Sequence, residues 1–424
     1  MFKMVNFVGK LCLAPMVRSG ELPTRLMALK HGADLVWTPE MVDKKVIQTT
    51  RIVNEQINTI DYILNESNNK KIKNRIVFRT LPRLESSKLI FQLGSADPNL
   101  AVEAALKVIG DVDGIDLNCG CPKPFSTHAG MGAALLSTPD LLCTILTNLV
   151  EKVGKPNNKS ISCKIRLLSS FDKTKELINQ ICNTGISNLT IHCRTRDMRN
   201  RDDPIWTYLP KLIPFIQSKG ISVIINGNLQ CRQDFENLQS ILNNKEIGGM
   251  IAECAEANPS VFSHKPLNAK NSIAQFLQFA NTYNYDNLPN SKYIVLNHIP
   301  GKSKFYQKMA QQKSHQDLIK LAQEILESDD PLMDKILAKD LQRQRLFTEE
   351  EYQEFISSKK SEVENFIKQA NEANEANDEI VSLKVENKEE NSLKRGNDEE
   401  NVPLKKIKLD FDQQNVDNQT IIGV

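Results

Sequence analysis

Eight short apolar segments alternate with stretches of helical periodicity, and this alternation restricts the fold of the 424-residue chain more than any other feature. Apolar runs of this length, separated by helices, are typical of buried parallel strands in βα units. The predicted strands are residues 11–14, 35–38, 89–92, 114–117, 161–165, 189–192, 223–225 and 249–252. Eight units within about 260 residues predict an α/β fold, a (β/α)8 TIM barrel over residues 1–268. An open doubly wound sheet is the alternative architecture.

Two further regions extend this barrel. Residues 75–80 form an apolar run with no helix before the next strand, which indicates an inserted excursion. After residue 266 the pattern becomes helical, at 273–283, 304–311, 316–326 and 331–341. We interpret residues 269–368 as a small all-α domain that follows the barrel. Extra helices that decorate the barrel are the alternative.

Residues 369–424 form a charged tail whose composition is typical of disorder. From residue 371 onward the chain contains 13 Asp/Glu, 7 Lys/Arg and a single aromatic residue, Phe411. Such a segment buries too little apolar surface to offset its chain entropy. Its basic clusters, at 394–395 and 405–408, predict a bipartite nuclear import signal and thus a cytoplasmic and nuclear localisation. A solvated charged tail explains the same residues equally well.

Composition excludes several classes of protein. The apolar runs are short and interrupted by charges, so neither a transmembrane helix nor a membrane partner is predicted. Nine cysteines, an odd number scattered along the chain, favour free thiols over a disulfide framework. The net charge is +2 although the tail is acidic, so the body of the chain is basic. A basic body is weak evidence for a polyanionic partner.

The predicted strands end in polar or reactive residues, and in a TIM barrel these ends form the active-site face. The residues that follow the strands are Pro15, Met16, Val17, Glu40, Gln92, Asn118, Cys121, Lys164, Arg166, His192, Arg194, Asn226, Gly227, Asn228, Ala252 and Glu253. An ordinary surface loop explains each of them alone. Their recurrence in one strand after another predicts a densely polar site at one mouth of the barrel.

Cys121 is the most informative residue of this set. It lies in the segment Asn-Cys-Gly-Cys-Pro-Lys at 118–123, directly after a strand and before a proline that fixes the turn. A thiol presented there could act as a nucleophile or as an acid, depending on its pKa. A zinc site is disfavoured because no second Cys or His pair has ligand spacing, and no metal is predicted.

Cationic and small residues follow the later strands. Strand alternation places Lys164 and Arg166 on one side, where cations directed into the barrel mouth need an anionic partner. Residues 226–228, Asn-Gly-Asn, and the small residues of 248–252 follow the strands after which this fold holds phosphate. Four arginines between 194 and 201 add a loop that could bind an RNA backbone. Turn chemistry and a solvated loop are the respective alternatives.

In this order, the segments resemble the tRNA-dihydrouridine synthases. The matching segments are Leu-Ala-Pro-Met-Val at 13–17, Asn-Cys-Gly-Cys-Pro-Lys at 118–123, Gly-Met-Gly-Ala-Ala-Leu-Leu at 130–136, Cys-Lys-Ile-Arg at 163–166, Ile-His-Cys-Arg-Thr-Arg at 191–196 and Asn-Gly-Asn at 226–228. The Cys-Pro-Lys and Met-Gly-Ala-Ala-Leu-Leu details are similar to the eukaryotic branch that acts at position 20 of tRNA. Each motif alone is weak, whereas the ordered set is specific.

The resemblance implies an FMN-binding TIM barrel followed by a helical domain that binds tRNA. NADPH would reduce the flavin, which would pass a hydride to C6 of a D-loop uridine while Cys121 gives a proton to C5. The resemblance assigns the flavin to Pro15, Met16, Val17, Gln92, Lys164, His192, Asn226, Gly227, Asn228, Ala252 and Glu253. It assigns the tRNA substrate to Asn118, Lys123, Arg166, Arg194, Arg196 and Arg199. A monomer is expected.

Two positions depart from the family pattern, and two other functions fit part of the sequence. Glu253 stands where the family commonly has Arg, so its carboxylate must turn away from a flavin phosphate or leave only its N–H to bind it. His128 stands where a Lys is expected. One alternative is an FMN-dependent dehydrogenase of a free pyrimidine, of the dihydroorotate type. The other is a non-catalytic tRNA-binding factor.

Overall fold

The computed structural model describes residues 4–64, 75–283, 285 and 287–337, together with the helical positions 357, 360, 361, 364, 365 and 368. Met1–Phe366 forms one compact unit and Ile367–Val424 a second. The predicted disordered tail and its basic clusters lie outside the described residues. The predicted boundary between residues 268 and 269 falls within the first unit and stays a prediction.

The described part of the chain contains twelve strands. In chain order they are β1 (Leu11–Leu13), β2 (Leu35–Trp37), β3 (Met41–Val42), β4 (Thr50–Asn54), β5 (Thr59–Leu64), β6 (Arg75–Thr80), β7 (Leu89–Gly94), β8 (Gly114–Cys119), β9 (Ser160–Leu167), β10 (Asn188–Thr195), β11 (Ser222–Asn226) and β12 (Gly248–Ile251). Eight of them coincide with the eight predicted strands.

These eight strands close into a parallel barrel. β1 pairs with β2, β2 with β7, and β7 to β12 pair in sequence, all in parallel. The barrel closes because β12 pairs with β1, with Leu11 opposite Gly249 and Leu13 opposite Ile251. The (β/α)8 prediction is confirmed, and the alternative of an open sheet is wrong. All eight carboxyl ends therefore meet at one mouth.

The helices of the described residues surround and follow this barrel. In chain order they are α1 (Leu22–Lys30), α2 (Asp43–Ile47), α3 (Pro82–Glu85), α4 (Pro98–Val108), α5 (Pro124–Thr127), α6 (Pro139–Leu149), α7 (Lys155–Asn157), α8 (Phe171–Cys182), α9 (Leu209–Gln217), α10 (Arg232–Ile241), α11 (Glu253–Ala257), α12 (Ala269–Thr282), α13 (Leu288–His298), α14 (Lys304–Gln311) and α15 (His315–Leu326). Local chemistry starts several of them: the Asp97 side chain caps α4 and the Ser170 side chain caps α8.

The inserted excursion predicted at residues 75–80 is the third strand of a small antiparallel sheet formed by β4, β5 and β6. One buried ion pair lies within this sheet and a second lies beside it, between α1 and α3. Arg79 donates from Nε to Asp61 at 2.6 Å, and Arg25 of α1 donates from Nε to Glu85 of α3 at 2.6 Å. Arg25 also donates to the carbonyls of Gly20 and Arg79, so one guanidinium joins the barrel helix to the excursion.

Helices α12 to α15 pack around a second apolar cluster, which includes Phe276, Ile294, Phe305 and Ile325. Met27 of α1 belongs to the same cluster, so the helices rest on the barrel wall. Three of the four predicted helical segments are present, whereas 331–341 is not: the structure has a short 3-10 turn at Pro331–Asp334, no helix at 335–337, and describes nothing of 338–341. Helix α13 is additional to the predictions.

No helix in the described ranges is long and apolar enough to cross a membrane.

Candidate active site

A cavity of about 300 Å³ opens at the carboxyl ends of the barrel strands. Its volume is at the lower end of the range of ligand pockets. The predicted residues that line it are Pro15, Met16, Val17, Gln92, Asn118, Cys121, Lys123, Lys164, Arg166, His192, Asn226, Ala252 and Glu253. The folding of the barrel thus brings together residues that lie more than 200 positions apart in the chain.

A smaller cavity of about 60 Å³ shares residues with the first and adds Arg194, Gly227 and Asn228. Gly227 has a φ of +121°, a conformation that suits glycine and lets the turn follow the cavity wall. The Glu253 carboxylate lines both cavities and accepts a hydrogen bond from Asn200 Nδ2 at 2.7 Å. The Glu253 carboxylate is therefore hydrogen-bonded to the protein, at the position where a flavin phosphate is predicted.

Arg194 is 3% exposed and braces the loop beyond β10. Its guanidinium donates to the carbonyls of Asp202 at 2.6 Å and Asn200 at 3.1 Å, and to Asn228 Oδ1 at 2.7 Å. It also lies 3.3 Å from His192 Nε2. Because a guanidinium cannot accept a hydrogen bond, that ring nitrogen is the acceptor and Nδ1 carries the proton. This buried position does not agree with the predicted contact between Arg194 and tRNA phosphates.

Arg196 and Arg199 line neither cavity and are exposed on the same loop. Arg166 is 8% exposed, and its guanidinium donates to the carbonyls of Gly120 and Thr195 at 2.9 and 2.8 Å. It therefore fixes the Cys121 loop against the loop after β10. Of the four arginines between 194 and 201, Arg194 is therefore buried and shapes the site, whereas the other three are exposed.

Lys164 carries a cation into the large cavity without a matching partner. Its ammonium makes no hydrogen bond or ion pair with any residue that the structure describes, and desolvation followed by the Arg166 charge lowers its pKa to about 7. Asp116 faces it from β8 inside the barrel, held by Gln92 Nε2 at 2.9 Å and Ser162 Oγ at 2.7 Å. Burial raises the pKa of Asp116 to about 6. A cation in this setting suits an anionic ligand group.

Cys121 lies partly buried on the loop after β8. Asn118 Oδ1 accepts hydrogen bonds from the backbone N–H groups of Gly120 at 3.0 Å and Cys121 at 3.1 Å, which fixes the loop. Desolvation raises the pKa of the Cys121 thiol, and the Glu40 charge raises it further. A protonated thiol is an acid, so the environment favours the acid over the nucleophile of the two roles open to this residue.

Three polar residues that line the large cavity were not predicted at the barrel mouth: Asn200, Glu256 and Tyr293. Glu40, which also lines it, was expected there as a strand-end residue but was assigned no role. Glu40 follows a predicted strand, so its position was the available clue. Tyr293 comes from α13, and no sequence pattern connects it to the barrel mouth. Its hydroxyl donates to Glu256 Oε1 at 2.8 Å, and the Arg18 guanidinium stacks 4.0 Å from its ring centre. The helical region therefore contributes directly to the cavity.

Within the described residues, no group of three or more His, Cys, Asp or Glu side chains could hold a metal ion. All nine cysteines are free thiols. The chemistry available to the site thus consists of one partly buried thiol, a set of cations and the hydrogen-bonding groups at the strand ends.

Comparison with known proteins identifies the family. The sequence is 51% identical over 325 residues to tRNA-dihydrouridine(20) synthase [NAD(P)+] of Saccharomyces cerevisiae, which covers 74% of this chain and 83% of that protein. It is 45% identical over 323 residues to the protein of the same name from Schizosaccharomyces pombe, which covers 75% of this chain and 65% of the relative. A human tRNA-dihydrouridine(20a/20b) synthase [NAD(P)+]-like protein is 29% identical over 254 residues, with 60% and 70% covered.

The family profile named Dihydrouridine synthase (Dus) matches residues 12–335, from the first barrel strand to beyond the end of α15. The match includes every segment that lines the two cavities. The closed barrel, the residues at its mouth and this profile match together show that the chain belongs to the dihydrouridine synthase family.

Proposed function

We propose that this protein is a tRNA-dihydrouridine synthase that uses FMN and NADPH to reduce a D-loop uridine, at position 20, to 5,6-dihydrouridine. One observation carries the proposal. In a chain of this family, the Cys121 thiol and the Lys164 ammonium, which makes no hydrogen bond or ion pair with a described residue, line the same cavity at the barrel mouth. The thiol suits the acid of a reduction, and the ammonium suits an anionic cofactor.

The residues present fit FMN. Pro15, Met16 and Val17 form an apolar wall for a flat ring, and the Lys164 cation faces the same space. Residues 226–228 and the start of α11 line the smaller cavity, where their backbone N–H groups could hold the phosphate. Bound there and reduced by NADPH, FMN would supply the hydride for C6 of the uracil.

Cys121 supplies the proton for C5. Negative charge that builds up at C5 is neutralised when the S–H bond of Cys121 breaks and a C–H bond forms. The raised pKa of Cys121 keeps the thiol protonated at neutral pH, so the proton is in place before the reaction. The thiolate that remains takes a proton from solvent at the open mouth, which restores the enzyme.

Exposed cations surround this mouth and provide the contact with tRNA. Lys123, Arg196 and Arg199 are exposed, and Arg18 presents its guanidinium over Tyr293 at the cavity edge. Arginine and lysine at such positions bind phosphates without reading sequence. Tyr293 of the helical region lines the cavity too, so the barrel and the helices together form its wall.

Reoxidation of the reduced flavin tests this function. The full-length protein is reduced with NADPH without oxygen and is then mixed with unmodified tRNA, with free uridine or with orotate, the unsaturated pyrimidine that can accept a hydride and become dihydroorotate. We expect tRNA to reoxidise the flavin and to gain one dihydrouridine at position 20, measured by mass spectrometry of nuclease digests. An Arg196→Ala/Arg199→Ala double variant should need more tRNA for half-maximal rate, with a weaker dependence on salt.

Two outcomes would contradict the proposal. If only free pyrimidines reoxidise the flavin, the protein is a pyrimidine dehydrogenase. If no flavin copurifies and none can be loaded, the protein is a tRNA-binding factor without this chemistry.

The affinity for FMN is expected to depend on Lys164. In Lys164→Met the dissociation constant of FMN should rise about ten- to a hundred-fold, because a charged hydrogen bond contributes about 1.5–3 kcal/mol. Binding of an anion raises the pKa of Lys164 from about 7, so the complex takes up a proton above that pH. Wild-type affinity should therefore fall as the pH rises above 7, and the variant should lose this dependence.

Quenching of flavin fluorescence by the apoprotein, titrated between pH 6 and pH 9, measures both effects. Lys173→Met, an exposed lysine on α8, is the matched control and should behave like the wild type. An unchanged affinity in Lys164→Met, or the same pH dependence in both proteins, would show that this cation does not face the cofactor.

A further inference from the structure

Glu40 is a buried carboxylate with an unused oxygen at the active site. It is 8% exposed and lines the large cavity after β2. Its Oε1 accepts a hydrogen bond from Ser126 Oγ at 2.8 Å, whereas its buried Oε2 makes no hydrogen bond of normal geometry among the described residues. Burial raises the pKa of Glu40, and the side chains of Ser126, Cys121 and Asn118 oppose that shift. Leaving a buried carboxylate oxygen unpaired is costly, so such an atom indicates an interaction formed during function.

The surrounding chain leaves room for this carboxylate. A Cβ atom at Gly94, the last residue of β7, would lie 2.6 Å from Glu40 Oε1. A Cβ atom at Gly132 would lie 2.5 Å from Ser126 Oγ and 3.1 Å from Cys121 Cβ. Two glycines thus permit Glu40, Ser126 and Cys121 to pack in one group, in which Ser126 adjoins both of the others.

The charges around the thiol are distributed unequally. Lys123, Lys164 and Arg166 each act on Cys121 as cations, and Glu40 is the carboxylate that acts on it. The other acids near the mouth have their own partners: Asp116 inside the barrel is held by Gln92 and Ser162 and acts on Lys164. Of the two further carboxylates that line the cavity, Glu253 accepts a hydrogen bond from Asn200 and Glu256 accepts one from Tyr293. Without Glu40, the three cations would favour loss of the thiol proton.

We propose that Glu40 is a positioning residue for Cys121, whose free carboxylate oxygen receives the S–H group and keeps the proton on sulfur until it is transferred to the substrate. This inference rests on the proposed function for its role in turnover. In each turnover the S–H bond breaks and the proton goes to C5 of the uracil. The thiolate then lies beside an anionic carboxylate, and their repulsion drives uptake of a proton from solvent. Glu40 itself ends the cycle unchanged.

The pH dependence of Cys121 alkylation tests this inference without any need for tRNA. Full-length wild type and Glu40→Gln are treated with iodoacetamide across a pH series, and alkylation is quantified on the peptide that contains Cys121. Removing the carboxylate charge should move the midpoint to lower pH by about one unit, since a like charge nearby shifts a pKa by that order. At a pH below both midpoints, the variant thiol should then react about tenfold faster.

The controls separate electrostatics from misfolding. Glu103→Gln removes an exposed acid of α4 and should leave the midpoint unchanged. Glu40→Asp keeps the charge but moves it away by one methylene, so the alkylation midpoint should shift in the same direction by a smaller amount. That smaller shift also supports the inference if Glu40→Gln does not fold. An unchanged midpoint in a folded Glu40→Gln protein would overturn it.

Activity gives the second readout. The alkaline limb of the rate of flavin reoxidation by tRNA should move to lower pH in Glu40→Gln by the same shift as the alkylation midpoint. If the midpoint moves while tRNA never reoxidises the flavin, Glu40 still controls the thiol and the proposed substrate is wrong. If tRNA is reduced normally and the midpoint does not move, the role of Glu40 is wrong.

Discussion

Replacing Cys121 with alanine is expected to lower the rate of dihydrouridine formation by about a hundred- to ten-thousand-fold, the contribution typical of a general acid. The reduction of the flavin by NADPH should keep its wild-type rate, because the thiol takes no part in that half-reaction. The partly buried thiol lies on a loop that Asn118 holds in place, so its loss removes the proton donor without removing the cavity. Single-turnover stopped-flow of each half-reaction measures the two rates separately.

Two variants set the limits of this prediction. Cys143→Ala removes another partly buried thiol, on α6 outside the two cavities, and should leave both half-reactions unchanged. Cys121→Ser, whose hydroxyl is a much weaker acid, should fall between alanine and the wild type. A Cys121→Ala protein that modifies tRNA at the wild-type rate would remove this residue from the mechanism.

Replacing Arg25 with methionine is expected to lower the free energy of unfolding by about 3–5 kcal/mol, the cost of breaking a buried ion pair on one side. Both side chains of the Arg25–Glu85 pair are 1% exposed, so Glu85 would keep an uncompensated charge away from water. The carbonyls of Gly20 and Arg79 would also lose their donors. Denaturant unfolding followed by fluorescence gives the free energy.

The matched comparison is an exposed ion pair. Lys155→Met breaks the pair with Glu151, whose side chains are 65% and 52% exposed, and should cost less than about 1 kcal/mol. Arg25→Met combined with Glu85→Leu should recover part of the loss, because no charge then remains buried. If Arg25→Met lowers the free energy of unfolding by no more than Lys155→Met does, the Arg25–Glu85 pair does not stabilise the contact between α1 and the excursion.

The local pattern of the chain was sufficient to predict the barrel. Buried parallel strands must be apolar on both faces, so each of the eight strands is visible as a short apolar run. The strand β6 was also located as an apolar run, although it belongs to an antiparallel sheet. The site followed from the fold, because strand ends in this architecture converge. All predicted residues except Arg196 and Arg199 line the two cavities.

The helical region shows where local patterns failed. Helix α13 was missed because its buried face is mostly polar: Asn290, Ser291, Asn297 and His298 are buried beside Ile294 and Val295. An apolar period cannot reveal a face of that kind. The segment 331–341 has the apolar period of a helix, but no helix forms at 335–337. There the Asn258 side chain instead donates to the Ile336 carbonyl at 2.8 Å.

The sequence by itself determined the fold class, the number of barrel strands, the family resemblance and the position of Cys121, because each depends on residues close together in the chain. Only the tertiary structure decided which side chains are buried together. It paired β1 with β12, turned Arg194 inward and brought Tyr293 of α13 to the barrel mouth. Among the residues that the structure describes, it also left Glu40 Oε2 without a hydrogen-bond partner. Burial, charge and hydrogen bonding between distant segments depend on how the whole chain closes, and no local pattern encodes them.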